Sequence, residues 1–392
     1  MFYFDEVINR RESNSLKWDV KKNELPMWVA DMDFKTAPAI IEALCKQVND
    51  GIFGYSVLGE AWRETIQNWW SKRHDFKIEK DWILFSTGVV PIITCAVKRL
   101  TNVGDNVLVQ TPAYDIFFHS IENHGRHVVE NKLKYDGNKY SIDFEDLESK
   151  LSNPLTTLML LCNPHNPVGQ VWSRADLIKI GELCEKYHVV VVSDEIHCDL
   201  VDPGTTYTPF LSASKTCAEN GIMCASASKT FNMAGLQSSI VVAANDNLRE
   251  KMNRGLNSDE IAEPNVFAVP ATIAAFTNGE AWLNELLEYL LDNKKLVRDY
   301  CKKELPKIIP VDSSATYLMW LDCRNMLGSA TEFCQFLRSE TGLYLSEGSK
   351  YRGNGKDFVR MNIACPKSQI EDALSRLKTG VEAYERWVVE RC

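Results

Sequence analysis

Lys229 stands in Ser-Ala-Ser-Lys-Thr-Phe-Asn (226–232), behind two hydroxyl residues and just past the apolar run 222–225. Its amine can form an imine with an aldehyde if burial or positive neighbours lower its pKa. A solvated surface amine is the plain alternative. Ser226 and Ser228 beside it suit a phosphate. Asp194 follows Ser193 and the four valines 189–192, at the end of a predicted strand. A carboxylate there needs a partner, because an unpaired buried charge is costly. A protonated heterocyclic nitrogen, an arginine or a metal would each serve. His197 and Cys198 stand close enough in sequence to join a metal site, but no third ligand stands at a regular spacing. No metal is expected.

Three more stretches carry chemistry. Thr87-Gly88-Val89 comes directly after the apolar residues 83–85 and opens a helix whose first turn holds Pro91. Such a turn brings backbone N–H groups and the positive end of the helix dipole to an anion, although an ordinary helix start looks the same. Asn163-Pro-His-Asn-Pro-Val-Gly169 follows the run 158–161, and its prolines and glycine hold Asn163 and Asn166 on a stiff turn. Arg360 lies inside the strand pattern Phe-Val-Arg-Met-Asn (358–362), a charge where a core residue belongs. Bidentate capture of a carboxylate and a structural ion pair both fit it.

The elements that must position these residues read as alternating strands and helices. Short apolar runs occur at 83–85, 107–109, 127–129, 158–161, 189–192, 222–225 and 240–243, with helical periods such as 89–100 and 174–187 between them. That alternation predicts a mainly parallel sheet of about seven strands with helices on its faces. From 282 the apolar residues Trp282, Leu286, Leu287, Leu290, Leu291, Val297 and Tyr300 form one long helical stripe ending before Pro306. A smaller α+β unit follows. Three regions result: an N-terminal segment, 1–50, packing with the small domain; a large domain, 51–281; and the connecting helix with the C-terminal small domain, 282–392. Glycines 51 and 54 punctuate a turn that carries Phe53 and Tyr55.

The composition, 45% hydrophobic and 25% charged, is that of a folded globular chain. A net charge of -9 argues against a protein that neutralises nucleic-acid phosphates or coats an anionic membrane. Residues 1–11 offer no apolar run for secretion, and no stretch approaches the roughly 18 apolar residues of a membrane helix. The twelve cysteines show no paired spacing and read as reduced thiols. A cytoplasmic protein is expected, with no nucleic-acid or membrane partner.

In this order and at these separations, the motifs resemble the pyridoxal-phosphate enzymes of fold type I, the class I/II aminotransferase superfamily. Within it they are most similar to the MalY/PatB group of cystathionine β-lyases. The likeness runs from Trp-Val-Ala-Asp-Met-Asp-Phe (28–34) to Arg-Met-Asn-Ile-Ala-Cys-Pro (360–366). It implies that Lys229 holds pyridoxal 5'-phosphate covalently and that Asp194 pairs with the protonated ring nitrogen, keeping the ring an electron sink. Asn166 would bond the phenolic oxygen, with His197 near the same edge, and Tyr114 would stack on the ring. The backbone of Gly88 and Val89 and the hydroxyls of Ser226 and Ser228 would hold the phosphate. Tyr55 would reach it from a neighbouring subunit, so a homodimer with shared active sites is implied. Arg360, with Asn166, would bind the substrate carboxylate, and Lys229, Tyr55 and Tyr114 would form the catalytic set.

The implied activity is α,β-elimination of cystathionine or another L-cysteine S-conjugate to a thiol, pyruvate and ammonia. Transamination of an aromatic or other amino acid is the alternative, as is a cofactor-binding regulator that acts through a partner. Aminotransferases of the superfamily carry tyrosine where His197 stands and arginine where Gln237 stands; the lyase group matches this chain at both. Arg352 departs from that group, which has glycine there.

Overall fold

The computed structural model describes residues 2–391; Met1 and Cys392, the latter counted above among the thiols, lie outside them. Each of the seven predicted runs is a strand of one sheet: β1 (Ile83–Ser86), β2 (Asn106–Thr111), β3 (His127–Lys132), β4 (Thr156–Cys162), β5 (Val190–Asp194), β6 (Gly221–Ala225) and β7 (Ser239–Val242). Their order is β1-β7-β6-β5-β4-β2-β3. The pairs from β3 through β6 are parallel, and β7 runs antiparallel to both β6 and β1.

The two-residue repeat of a strand sends alternate side chains to opposite faces. In β4, Leu158 and Leu160 enter one core, while Met159 and Leu161 enter the other. Both faces are therefore apolar, as a covered parallel sheet requires. Helices Val89–Leu100 and Asp246–Ser258 cover one face with Ile92, Ile93, Met252 and Leu256; helix Arg174–Lys186 covers the other with Leu177 and Ile180. Burying each such side chain contributes about 1.5–3 kcal/mol. Helix Arg174–Lys186 starts on a full capping box of Ser173 and Asp176. Helix Val89–Leu100 has no side-chain cap, only Gly88, so its first N–H groups remain open to another acceptor.

Helix Glu280–Glu304 leads to the small domain. There a four-stranded antiparallel sheet runs in the order Ile309–Pro310, Leu318–Asp322, Phe358–Asn362, Ser346–Glu347. Helix Ala330–Thr341 backs it, and helix Lys367–Arg391 packs on that helix.

The N-terminal segment ties the domains together. Leu25–Pro26 pairs in parallel with Leu343–Tyr344. Residues 27–34 then pass between two asparagines. Asn362 Nδ2 donates to Val29 O and Asp31 O, both at 2.6 Å, and Asn232 Nδ2 donates to Met32 O at 3.0 Å and Phe34 O at 2.9 Å. The buried Lys17–Asp33 pair at 2.7 Å, with Arg10 also on Asp33, fixes the approach. Helix Pro38–Asp50 belongs elsewhere, against helix Ala268–Asn278 of the large domain. The eleven described cysteines are free, and all but Cys45 are buried.

Candidate active site

Five connections leave the sheet at the carboxyl ends of its parallel strands, where α/β proteins bind ligands. Gly88 follows β1, Tyr114 follows β2, Asn166 follows β4, Asp194 ends β5 and Lys229 follows β6. With Arg360 from the small domain they wall one cavity of about 430 Å³. The apolar residues of each strand are consumed by the two cores, so the chemistry-bearing residues fall just beyond them.

Lys229 is nearly enclosed. Its Nζ donates to Ala30 O at 2.5 Å, and burial lowers its pKa to about 8, helped by the charge of Arg360; Asp31 and Asp194 act in the opposite direction. Asp194 accepts the Ile196 N–H at 3.1 Å and has no ion pair among the described residues. Burial raises its pKa to about 6; the Ile196 N–H and then Lys229 act against that rise. His197 is held neutral, its pKa lowered to about 3 by burial and by the charges of Lys229 and Arg360. Its Nδ1 is buried without a partner.

Arg360 is 4% exposed and has no carboxylate partner among the described residues. Its Nη1 donates to Asn166 Oδ1 at 3.1 Å and its Nη2 to Trp28 O at 2.9 Å, while Nε is buried and unbonded. The guanidinium lies over the ring of Tyr351 at 5.1 Å. A buried cation facing a cavity with spare donors is suited to an entering carboxylate. At the other end, the uncapped helix start at Gly88 and Val89 and the residue Ser228 line the wall where a phosphate would meet backbone N–H groups. Tyr114 is on the wall as well, its hydroxyl raised to about 12 by burial. The lysine, the unpaired acid and the uncapped helix start fit a group with an aldehyde, a basic ring nitrogen and a phosphate, and Arg360 is left for a carboxylate.

Some predicted residues lie elsewhere. Ser226 is buried behind the wall: its hydroxyl donates to Ser238 O at 2.6 Å and accepts the Ser228 N–H at 3.0 Å, capping the short helix Ala227–Thr230. Of the two asparagines expected on the turn, Asn166 faces the cavity, whereas Asn163 is fully buried and donates to Thr208 O at 3.0 Å. Cys198 points away from His197 and Asp194; its sulfur lies with His74 and Asp199. Arg73, 3.3 Å from the same Asp199, supplies the countercharge there. Tyr55 is fully exposed at 103% and is not on this chain's own cavity wall.

Other wall residues escaped the sequence reading. Ala30 contributes only a carbonyl, and a backbone atom leaves no signal in residue type. Tyr351, 3% exposed, was hidden in a loop; the unusual Arg352 beside it was the one cue. Off the wall, Tyr317 packs edge-on to His197 at 6.3 Å and donates its hydroxyl to Ala30 O at 3.2 Å.

Comparison with known proteins follows the same lines. The model of the family described as aminotransferase class I and II matches residues 24–377. Cystathionine beta-lyase PatB of Bacillus subtilis is 42% identical over 385 residues, covering 96% of this chain and 99% of that protein. Protein MalY of Escherichia coli is 32% identical over 391 residues, covering 98% and 100%. The PLP-bound crystal structure of a protein named as an aminotransferase from Clostridium difficile superimposes with a TM-score of 0.95 at 36% identity, over 97% of this chain and 100% of that one.

Proposed function

Because this chain belongs to the aminotransferase class I and II family, we propose that it is a pyridoxal-phosphate-dependent carbon–sulfur β-lyase that eliminates a thiol from cystathionine or a related L-cysteine S-conjugate. The observation that carries the reading is the set of three charges on one cavity without an ion pair among the described residues, the buried Asp194 and Arg360 and the part-buried Lys229. The 42% identity to a cystathionine beta-lyase, with His197 and Gln237 in place of tyrosine and arginine, favours elimination.

Bound pyridoxal phosphate supplies an aldehyde that condenses with amines and a protonated ring that accepts electron density from the substrate α-carbon. The protein's groups do the rest. Asp194 keeps the proton on the ring nitrogen. Arg360 takes the substrate carboxylate in place of Trp28 O, and Asn166 holds the guanidinium at its present angle. Lys229, its pKa lowered by burial to about 8, is the base for the α-proton. The β-carbon–sulfur bond then breaks with its electron pair on sulfur, and water completes release of pyruvate and ammonia. Gly88, Val89 and Ser228 anchor the phosphate, and Ser226 serves by holding their neighbour in place.

The exposed side chains of Ile52, Phe53, Tyr55 and Val57 support a homodimer in which this segment crosses to a second copy and Tyr55 completes its phosphate site. The buried free cysteines favour a reducing, cytoplasmic setting. Among the described residues no helix is long and apolar enough to cross a membrane. Transamination is the second reading, favoured by the aminotransferase name of the Clostridium difficile structure and by the same lysine base.

Incubation of the purified protein with cystathionine, with and without a 2-oxo acid, tests the assignment. Equal amounts of free thiol and pyruvate are expected. Nitrogen transfer to the 2-oxo acid with no pyruvate would replace elimination by transamination.

A further inference from the structure

The mouth of the cavity carries two charges that the reaction above does not use, Lys350 and Asp115. Their placement follows from one tight turn. Residues Gly348–Tyr351 form a 3-10 turn whose backbone runs against that of residues 355–358: a Cβ on Gly348 would lie 2.1 Å from Phe358 O and 2.2 Å from Gly355 O. The turn drives Tyr351 inward onto Arg360 and leaves Lys350 exposed at the rim. Tyr351 O accepts the Ala113 N–H at 2.9 Å, which locks this turn to the segment that carries Tyr114 and Asp115. Asp115 acts electrostatically on both Tyr114 and Tyr351, so it sits on the same rim.

The side chains of Lys350 and Asp115 make no hydrogen bond or ion pair with another described residue. The same cavity is lined by the apolar side chains of Leu16, Trp28, Val90 and Ile116. Two charges of opposite sign, Lys350 and the helix-start residue Asp115, neither in an ion pair among the described residues and both lining a cavity with apolar side chains, match a ligand that has both an ammonium and a carboxylate on a short aliphatic arm. Arg360, one residue from Lys350 through the ring of Tyr351, and Lys229 line the same cavity further in.

We infer that Lys350 and Asp115 form a distal subsite that selects thioethers whose leaving half is itself an amino acid, Lys350 binding the distal carboxylate and Asp115 the distal ammonium. This rests on the lyase reading. It makes the two residues specificity determinants with no part in breaking the bond. The consequence is a preference for conjugates such as cystathionine over S-alkyl cysteines of equal length.

The test uses the holoenzyme and three substrates: S-ethylcysteine, S-carboxyethylcysteine and cystathionine, whose distal arms carry no charge, a carboxylate, or both charges. In Lys350→Met the kcat/KM ratio of S-carboxyethylcysteine to S-ethylcysteine falls about fivefold, the reach of a partly exposed ion pair, with the change in KM. In Lys350→Arg the ratio is retained, and in Lys350→Glu it falls further. In Asp115→Asn the ratio of cystathionine to S-carboxyethylcysteine falls by a similar factor. Equal losses for all three substrates, or none, would overturn the subsite. Absence of pyruvate from every substrate with the unmodified enzyme refutes the lyase reading instead. The same ratios are then read as Kd values from the absorbance of the bound cofactor, and their invariance on substitution overturns the subsite independently.

Discussion

Asp194→Asn is expected to make the cofactor-free protein more stable at neutral pH while weakening its hold on the cofactor. The carboxylate is buried, accepts one backbone N–H at 3.1 Å, and has no ion pair among the described residues. Burial raises its pKa from 3.8 to about 6. A raised folded-state pKa means that the folded protein binds this proton more tightly than the unfolded chain. Stability is therefore lost as pH rises from about 4 through about 6, and stays lost above. Two pH units correspond to about 3 kcal/mol. Asparagine keeps an acceptor for Ile196 but gives up the attraction of Lys229, so a net gain of about 1–3 kcal/mol is expected above pH ~7. Urea unfolding of both cofactor-stripped proteins at a series of pH values reads it. The midpoints should converge towards pH ~4, where both side chains are neutral. With cofactor present the order reverses, because a protonated ring nitrogen repays the buried charge and asparagine cannot; dialysis then strips the yellow colour from the variant sooner. A cofactor-free variant less stable than the parent at pH ~8, or a difference independent of pH, would refute the reasoning.

Two further expectations follow from single residues. The rate at which cofactor-free protein captures pyridoxal phosphate, followed by absorbance, should rise with pH and level off above about 8, because the reactive form of Lys229 is the neutral amine and burial lowers its pKa; a profile still climbing towards pH ~10 would mark an ordinary exposed lysine. Arg352 has φ 56° and ψ -158°, a region essentially confined to glycine, and it is held by an ion pair to Glu122 at 2.7 Å and by the ring of Phe118 at 4.1 Å. Arg352→Ala loses those contacts and keeps the strain of about 1–3 kcal/mol, so it should unfold at lower urea than Arg352→Gly. Glycine equal to or below alanine would show that the turn is not strained.

The alternation of apolar runs with helical periods was enough to specify the large domain, because a strand buried on both faces must be apolar throughout and its length is visible. All seven runs became neighbours in one sheet. Asp194, Lys229, Asn166 and Gly88 were legible for a related reason: each breaks the pattern just past a strand, and the ends of parallel strands share one side of the sheet. Arg360 stood out as a charge inside a strand. What the sequence could not decide is which of two neighbouring polar residues turns towards the cavity. Ser226 and Ser228, or Asn163 and Asn166, are equivalent as residue types; the backbone direction at the turn sends one inward to satisfy buried carbonyls and the other to the wall. The carbonyls of Trp28 and Ala30, the ring of Tyr351 and the rim formed by Lys350 and Asp115 depend on segments hundreds of residues apart meeting at one place. Residue type determines which chemistry a chain can perform; only the packing of two domains and the N-terminal segment between them determines what that chemistry will meet.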